Sequence, residues 1–244
     1  MKANVTMKAL SAAVLGLAGM AFAGSSMAQC PQDPAQSGGG PWSSKSVLGG
    51  AIAITTPGLA STTCKMDASI TSTAFGSAYV RDNTPAAEPR YRAKFAFNAD
   101  TLVGLNSLQS VRLFSANTDT PFQSIPETVR VSVFGNLAGT AKSLNIVAAC
   151  DGSPASCATT IALPAGNHTL QIDWVKGTSG SLKVWLDNTV EATPTATLTG
   201  NTNGWAVDYA VLGLSTPSPA FRSAQTNRAV SFDEFDSRRT TFIN

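Results

Sequence analysis

The sequence predicts an all-β protein, an antiparallel β-sandwich of the jelly-roll type, and three observations carry that prediction. Apolar and polar side chains alternate with period two along most of the chain, helical periodicity is almost absent, and hydroxyl residues stand where charged ones usually do. Of 244 residues only 13% are charged, while 26 Ser and 27 Thr supply the polar surface. An average globular chain is about a quarter charged. Such a composition suits a pleated, half-buried surface better than long amphipathic helices.

The first 28 residues read as an export signal. Met1 to Lys8 carries two lysines and no acid, Ala9 to Ala23 is an almost unbroken apolar run, and Ser26-Met27-Ala28 sets small residues at the −3 and −1 positions of a cleavage site. The run is too short to span a bilayer comfortably, and no later stretch approaches about 20 apolar residues, so no membrane span is expected. Residues 29–66 are rich in Gly, Pro, Ser and Thr, notably Ser37-Gly38-Gly39-Gly40-Pro41, and read as an irregular leading segment. Residues 67–244 have a uniform texture without repeats and form the sandwich domain.

Export makes the four cysteines available for bridging, and sequence proximity selects among three connectivities. Cys150 and Cys157 flank a turn rich in Gly, Ser and Pro, which leaves Cys30 to pair with Cys64. On chain-entropy grounds the two loops contribute about 2.5 and 4 kcal/mol.

Within the domain each strand is justified by its phase. Tyr91, Ala93, Phe95 and Phe97 share one face against Arg90, Arg92 and Lys94; Val129, Val131 and Val133 oppose Arg130 and Ser132; Leu144, Ile146 and Ala148 form a further row. Leu170, Ile172 and Trp174 oppose Gln171 and Asp173. After the turn residues Lys176 to Gly180, Leu182, Val184 and Leu186 resume the inward row against Lys183, Trp185 and Asp187, which makes a hairpin. In Val230 to Phe235 strict alternation places Phe232 and Phe235 on opposite faces, one toward the core and the other packed against the second layer or the leading segment.

These residues carry a resemblance. The run HTLQIDWVKGTSGSLKVWLD at 168–187 resembles the paired central strands of laminin-G-like, concanavalin A-like lectin/glucanase sandwiches. Gly204 to Leu214 and Val230 to Phe235 are similar to later strands of that superfamily, and FDEFDSRRTTFI at 232–243 is similar to the ending of a group of secreted bacterial sandwich proteins. Asn188 departs from the usual corner glycine, although Asn tolerates φ > 0. The resemblance implies architecture over residues 67–244 and no particular activity.

Charge excludes one class of partner. With 17 Lys and Arg against 15 Asp and Glu there is no basic excess to neutralise a phosphate backbone, so nucleic acid is not expected. The single histidine, His168, lacks a nucleophile-elbow motif and reads as a surface turn residue. The hydrolase that the resemblance makes worth testing would need two carboxylates about 5.5 Å apart for retention. Glu234 and Asp236 share a strand face under strict alternation, but the third carboxylate of a glucanase row is missing, and Asp233 reads as a backbone-bonding residue. Calcium is a possible ligand through Asp82 with Asn83 and Asn117 with Asp119, although Asx turns explain both pairs. No other cofactor is expected.

The phase rule leaves Trp185 out of the core row, on the face that Gln171, Asp173, Lys183, Arg92 and Arg130 share. An indole among hydrogen-bonding groups can serve as a sugar platform, or the ring can cover its own sheet. The sequence reading is therefore a secreted, non-catalytic, lectin-like module that binds a glycan or surface polysaccharide. Trp185, Gln171, Asp173, Lys183, Arg92 and Arg130 form its ligand face, with a secreted glycosidase or a structural envelope protein as alternatives.

Overall fold

The computed structural model describes Cys30 and residues 33–35, 42–122, 124–152 and 157–243. The proposed export signal at 1–28 lies outside the described residues. Fourteen strands follow in chain order among the described residues: β1 (Ser44–Ser46), β2 (Gly50–Thr55), β3 (Lys65–Ile70), β4 (Ala78–Asp82), β5 (Arg90–Asn98), β6 (Ser110–Phe122) and β7 (Ile125–Gly135). Then come β8 (Lys142–Ala148), β9 (Ala158–Leu163), β10 (Asn167–Val175), β11 (Gly180–Leu186), β12 (Ala196–Gly200), β13 (Tyr209–Ser215) and β14 (Ala229–Arg238). One short helix, α1 (Pro219–Ala224), is capped by the Ser218 hydroxyl, which accepts from the Phe221 N–H at 3.1 Å.

The strands form two antiparallel sheets of seven. The front sheet has the order β1-β4-β13-β6-β7-β8-β9 and the back sheet β12-β11-β10-β5-β14-β3-β2, so the predicted sandwich is present. The alternating rows face each other across the middle: Phe95 stacks on Phe114 of the opposite sheet with ring centroids 5.4 Å apart, and Tyr91, Phe97, Trp174 and Trp205 are fully buried beside them. The hairpin of β10 and β11 has the expected register, with Ile172 opposite Val184 and Gln171 opposite Trp185.

Two expectations need correction. Residues 29–66 are not irregular throughout, because β1, β2 and the start of β3 lie within them. β1 and β2 are the outermost strands of their sheets, where half-exposed Ser, Ala and Gly suffice and the apolar signal is weak. In β14, Phe232 and Phe235 do not face opposite ways. The register with β5 slips between Asp233 and Asp236, where Glu234 takes φ of 50°, and this bulge turns Phe235 inward, where it meets Trp42 of the leading segment (4.6 Å) and Phe114 of the opposite sheet (6.4 Å), the two kinds of surface expected to cover the second ring.

Both cysteine pairs are bonded, Cys30–Cys64 with α-carbons 5.7 Å apart and Cys150–Cys157 with 6.3 Å.

Candidate functional site

The face expected to bind ligand is covered. Phase alone correctly sets Gln171, Asp173, Arg92, Lys183 and Trp185 on the outer side of the back sheet. The C-terminal residues then fold over them as a third layer. Phe242 meets Trp185 edge-on at 5.2 Å, the indole N–H donates to the Val190 carbonyl at 3.0 Å, and Trp185 is 1% exposed. The Gln171 amide, oriented to satisfy both of its ends, donates to the Ile243 carbonyl and accepts from the Ile243 N–H. Asp173 and Arg92 pair at 2.8 Å inside this layer, and Arg92 reaches the exposed Glu191 at 2.8 Å. Only Lys183 stays exposed. Arg130 belongs to β7 of the front sheet, on the opposite outer surface of the molecule. The predicted six-residue ligand face is thus not one surface.

The other candidates are structural in their contacts. His168 is buried rather than on the surface, its Nδ1 2.7 Å from the Asp187 carboxylate and its Nε2 3.0 Å from the Pro164 carbonyl. Asp233 accepts from the Leu59 N–H at 2.8 Å and from the Thr62 hydroxyl, as its backbone-bonding role predicts. Glu234 sits in the bulge, out of phase with Asp236, which pairs with Arg238 at 2.8 Å. Strict alternation fails here because one inserted residue inverts every later position. Of the calcium candidates, Asp82 caps its own turn at the Thr84 N–H (2.8 Å), Asn83 accepts from the Arg81 Nε (2.5 Å), and the Asn117 amide donates to the Ser115 hydroxyl (3.0 Å).

The polar, concave surface lies on the front sheet. Antiparallel partners in register share a face, and three cross-strand rows follow from the pairing. Tyr209, Asn117 and Glu127 form one row; Arg81, Val211, Ser115 and Arg130 a second; Arg112, Ser132, Asn145 and Thr160 a third. Arg112 and Ser115 reach the same face because the register with β7 slips between Arg112 and Phe114, while Leu113 and Phe114 both turn into the core. Two adjoining open depressions of about 370 and 380 Å³ run over these rows and share Arg112 and Thr216.

The first depression holds Tyr79, Arg81, Glu127 and Tyr209. The Arg81 guanidinium lies over the Tyr209 ring, 3.6 Å from its centroid, and reaches Asp119 at 3.5 Å. Burial raises the pKa of the Tyr209 hydroxyl further above its ordinary 10, against the lowering influence of Arg81. Arg112 donates to Glu127 at 2.7 Å, while its buried Nε has no hydrogen-bond partner among the described residues. The second depression is lined by Arg112, Arg130, Ser132 and Asn145 among others, and no acid lines it. Among the described residues Arg130 makes no hydrogen bond or ion pair.

Sequence reasoning named Arg130 but missed Tyr79, Arg81, Arg112 and Tyr209. Arg112 was hidden by the bulge. The Tyr79-Val80-Arg81 alternation, like that of Arg130 and Ser132 in β7, was a local signal that could have exposed this face.

No protein-family profile and no curated protein matches the sequence. Solved structures do match its shape. An endo-β-1,4-glucuronan lyase from the fungus Trichoderma reesei is similar at a TM-score of 0.57 and 14% identity, over 82% of this chain and 92% of that one. Alginate lyase Aly36B is similar at 0.54 and 9%, over 74% and 82%. A carbohydrate esterase from the Shiga toxin-encoding bacteriophage phi24B is similar at 0.52 and 14%, over 81% and 90%. At these identities the likeness is one of fold, a β-sandwich shared with carbohydrate-active proteins. It corrects the expectation of a non-catalytic, lectin-like module with no enzymatic activity. Sandwiches of this shape include polysaccharide lyases, and the face that supported the lectin reading is packed under the C-terminus.

Proposed function

We propose that the protein is an exported carbohydrate-active enzyme of the polysaccharide lyase type, which takes an acidic polysaccharide along the outer face of its front sheet. The observation that carries this reading is the strip of Arg81, Arg112 and Arg130 with Tyr79 and Tyr209 on one face of a sandwich whose fold resembles glucuronan and alginate lyases. Cleavage of a uronan by β-elimination transfers the proton on C5 to a base, a role the scheme gives to the Glu127 carboxylate in the first depression, and breaks the C4–O4 bond. A C4=C5 double bond forms, and the departing oxygen takes a proton. The uronate carboxylate must be held by cations so that charge can build on it in the transition state, which suits a guanidinium. Tyr209, a phenol at neutral pH, is placed in this scheme as the proton donor to the departing oxygen, with Tyr79 as the second phenol of the groove.

The two disulfides support an oxidising destination, in keeping with the signal read at residues 1–28. The hairpin of β10 and β11 supports the narrower affiliation with laminin-G-like and concanavalin A-like sandwiches. The glycosidase alternative lacks this support, because Glu234 and Asp236 are out of phase across the bulge.

The test is incubation with polyglucuronate, alginate and neutral β-glucan, following ultraviolet absorbance of the unsaturated product and reducing ends in parallel, with and without a chelator. Absorbance that rises with the acidic polymers and is lost in Tyr209→Phe is the expected result. Reducing ends without absorbance would mean hydrolysis, and no change on any acidic polymer would reject the reading.

A further inference from the structure

We infer that the second depression, around Arg130, is an anion subsite that holds one acidic group of a sugar chain at a distance from the Tyr209–Arg81 pair. This rests on the groove reading above and adds to it a residue that decides which chain is taken. Charge separates the two depressions. In the first, the cations are compensated: Arg112 by Glu127 at 2.7 Å, and Arg81 by Asp119 at 3.5 Å. In the second, Arg130 is half-buried and without an acid among the described residues, and the lining carries none. A half-buried guanidinium with no counter-ion is attractive to an oxyanion, because the desolvation cost is already met in the free protein.

The donors around it are of the right kind. Ser132 and Asn145 lie opposite each other across β7 and β8, and Arg112 lines both depressions. Hydroxyl, amide and guanidinium donors together suit a carboxylate or a sulfate ester on a sugar ring.

Position makes the subsite remote. Arg81 and Arg130 stand in one cross-strand row with Val211 and Ser115 between them. Three strand spacings are about 14 Å, more than one sugar ring spans. A bound chain would therefore place one acidic group at Arg81 and a later one at Arg130, and neutral chains would gain nothing at the second position.

Calorimetric titration of the full, disulfide-bonded chain decides the matter. The probes are a hexamer of glucuronate, a sulfated neutral glucan hexamer and the same glucan unsulfated. Arg130→Gln is expected to weaken binding of the better acidic hexamer by about tenfold or more, to flatten its salt dependence, and to leave the unsulfated glucan unchanged. Arg130→Lys, which keeps the charge and loses the planar fork, should fall between. The stronger of the two acidic hexamers identifies carboxylate or sulfate as the group held. Parent-like affinity in Arg130→Gln, or equal affinity of the parent for acidic and neutral hexamers, would overturn the subsite. Turnover of the parent is read separately: acidic hexamers bound through Arg130 but never cleaved would retain the subsite and remove the lyase reading.

Discussion

Asp208 ties the loop that frames the groove, accepting hydrogen bonds from the Ala87 N–H at 2.7 Å, the Asp119 N–H at 2.8 Å and the Thr118 hydroxyl at 3.0 Å. Burial alone would raise its pKa, yet these three bonds outweigh it and hold the carboxyl below its ordinary 3.8. A lowered folded value means that the unfolded chain binds the proton more tightly. The stabilisation is therefore complete above 3.8 and is lost as pH falls through the lower folded value. Urea unfolding of the parent and Asp208→Ala should differ by a constant amount from neutral pH down to about pH 5 and converge in stronger acid. A gap that persists in acid would mean the carboxylate charge is not its source. Trp185 makes the second prediction at this scale. With its ring 1% exposed and its N–H bonded to Val190, Trp185→Ala should cost about 3–5 kcal/mol in chemical denaturation. A cost under about 1 kcal/mol would mean the C-terminal layer is not seated in solution.

At the scale of the element, two irregular strands decide what the groove and core contain. Gly213 of β13 has φ of 125°, and a Cβ there would lie 2.5 Å from the Ala78 carbonyl and 2.7 Å from the Tyr79 α-carbon. Gly213→Ala must therefore push β4 from β13, the strands that carry Arg81 and Tyr209. It should cost about 1–3 kcal/mol and, on the proposed lyase reading, lower turnover of acidic polymer more than it lowers the population of folded protein, which circular dichroism reads alongside the assay. In β14 the bulge at Glu234 turns Phe235 onto Trp42 and Phe114. Phe235→Ala should then destabilise by about 2–4 kcal/mol.

At the scale of the whole molecule the two cysteine pairs cross-link separate segments, one in the leading segment and one after β8. Cys30–Cys64 closes a sequence separation of 34 and ties the leading segment to the start of β3, while Cys150–Cys157 closes one of 7 beside Gly200 of β12. Replacing the first pair by serine should cost about 4 kcal/mol on loop-entropy grounds and the second about 2.5, measured as shifts in denaturation midpoint. Non-reducing peptide mapping should recover these two links and no Cys64–Cys150 link.

The sequence by itself determined the layers. Alternation in 90–97, 129–133, 144–148 and 168–187 is a local property, because each side chain's face follows from its neighbours' phase, and the sandwich and both cysteine pairs were legible in it. Tertiary structure decided which outer face stays wet. Phase correctly set Trp185, Gln171, Asp173 and Arg92 outside the core, but it carries no information about a chain segment more than 50 residues later that returns to cover them. Nor does it register an inserted residue, so the bulges in β6 and β14 moved Arg112 onto the groove and parted Glu234 from Asp236. Arg81, Arg130 and Tyr209 come from strands far apart in sequence, and only the order β4-β13-β6-β7 brings them onto one surface.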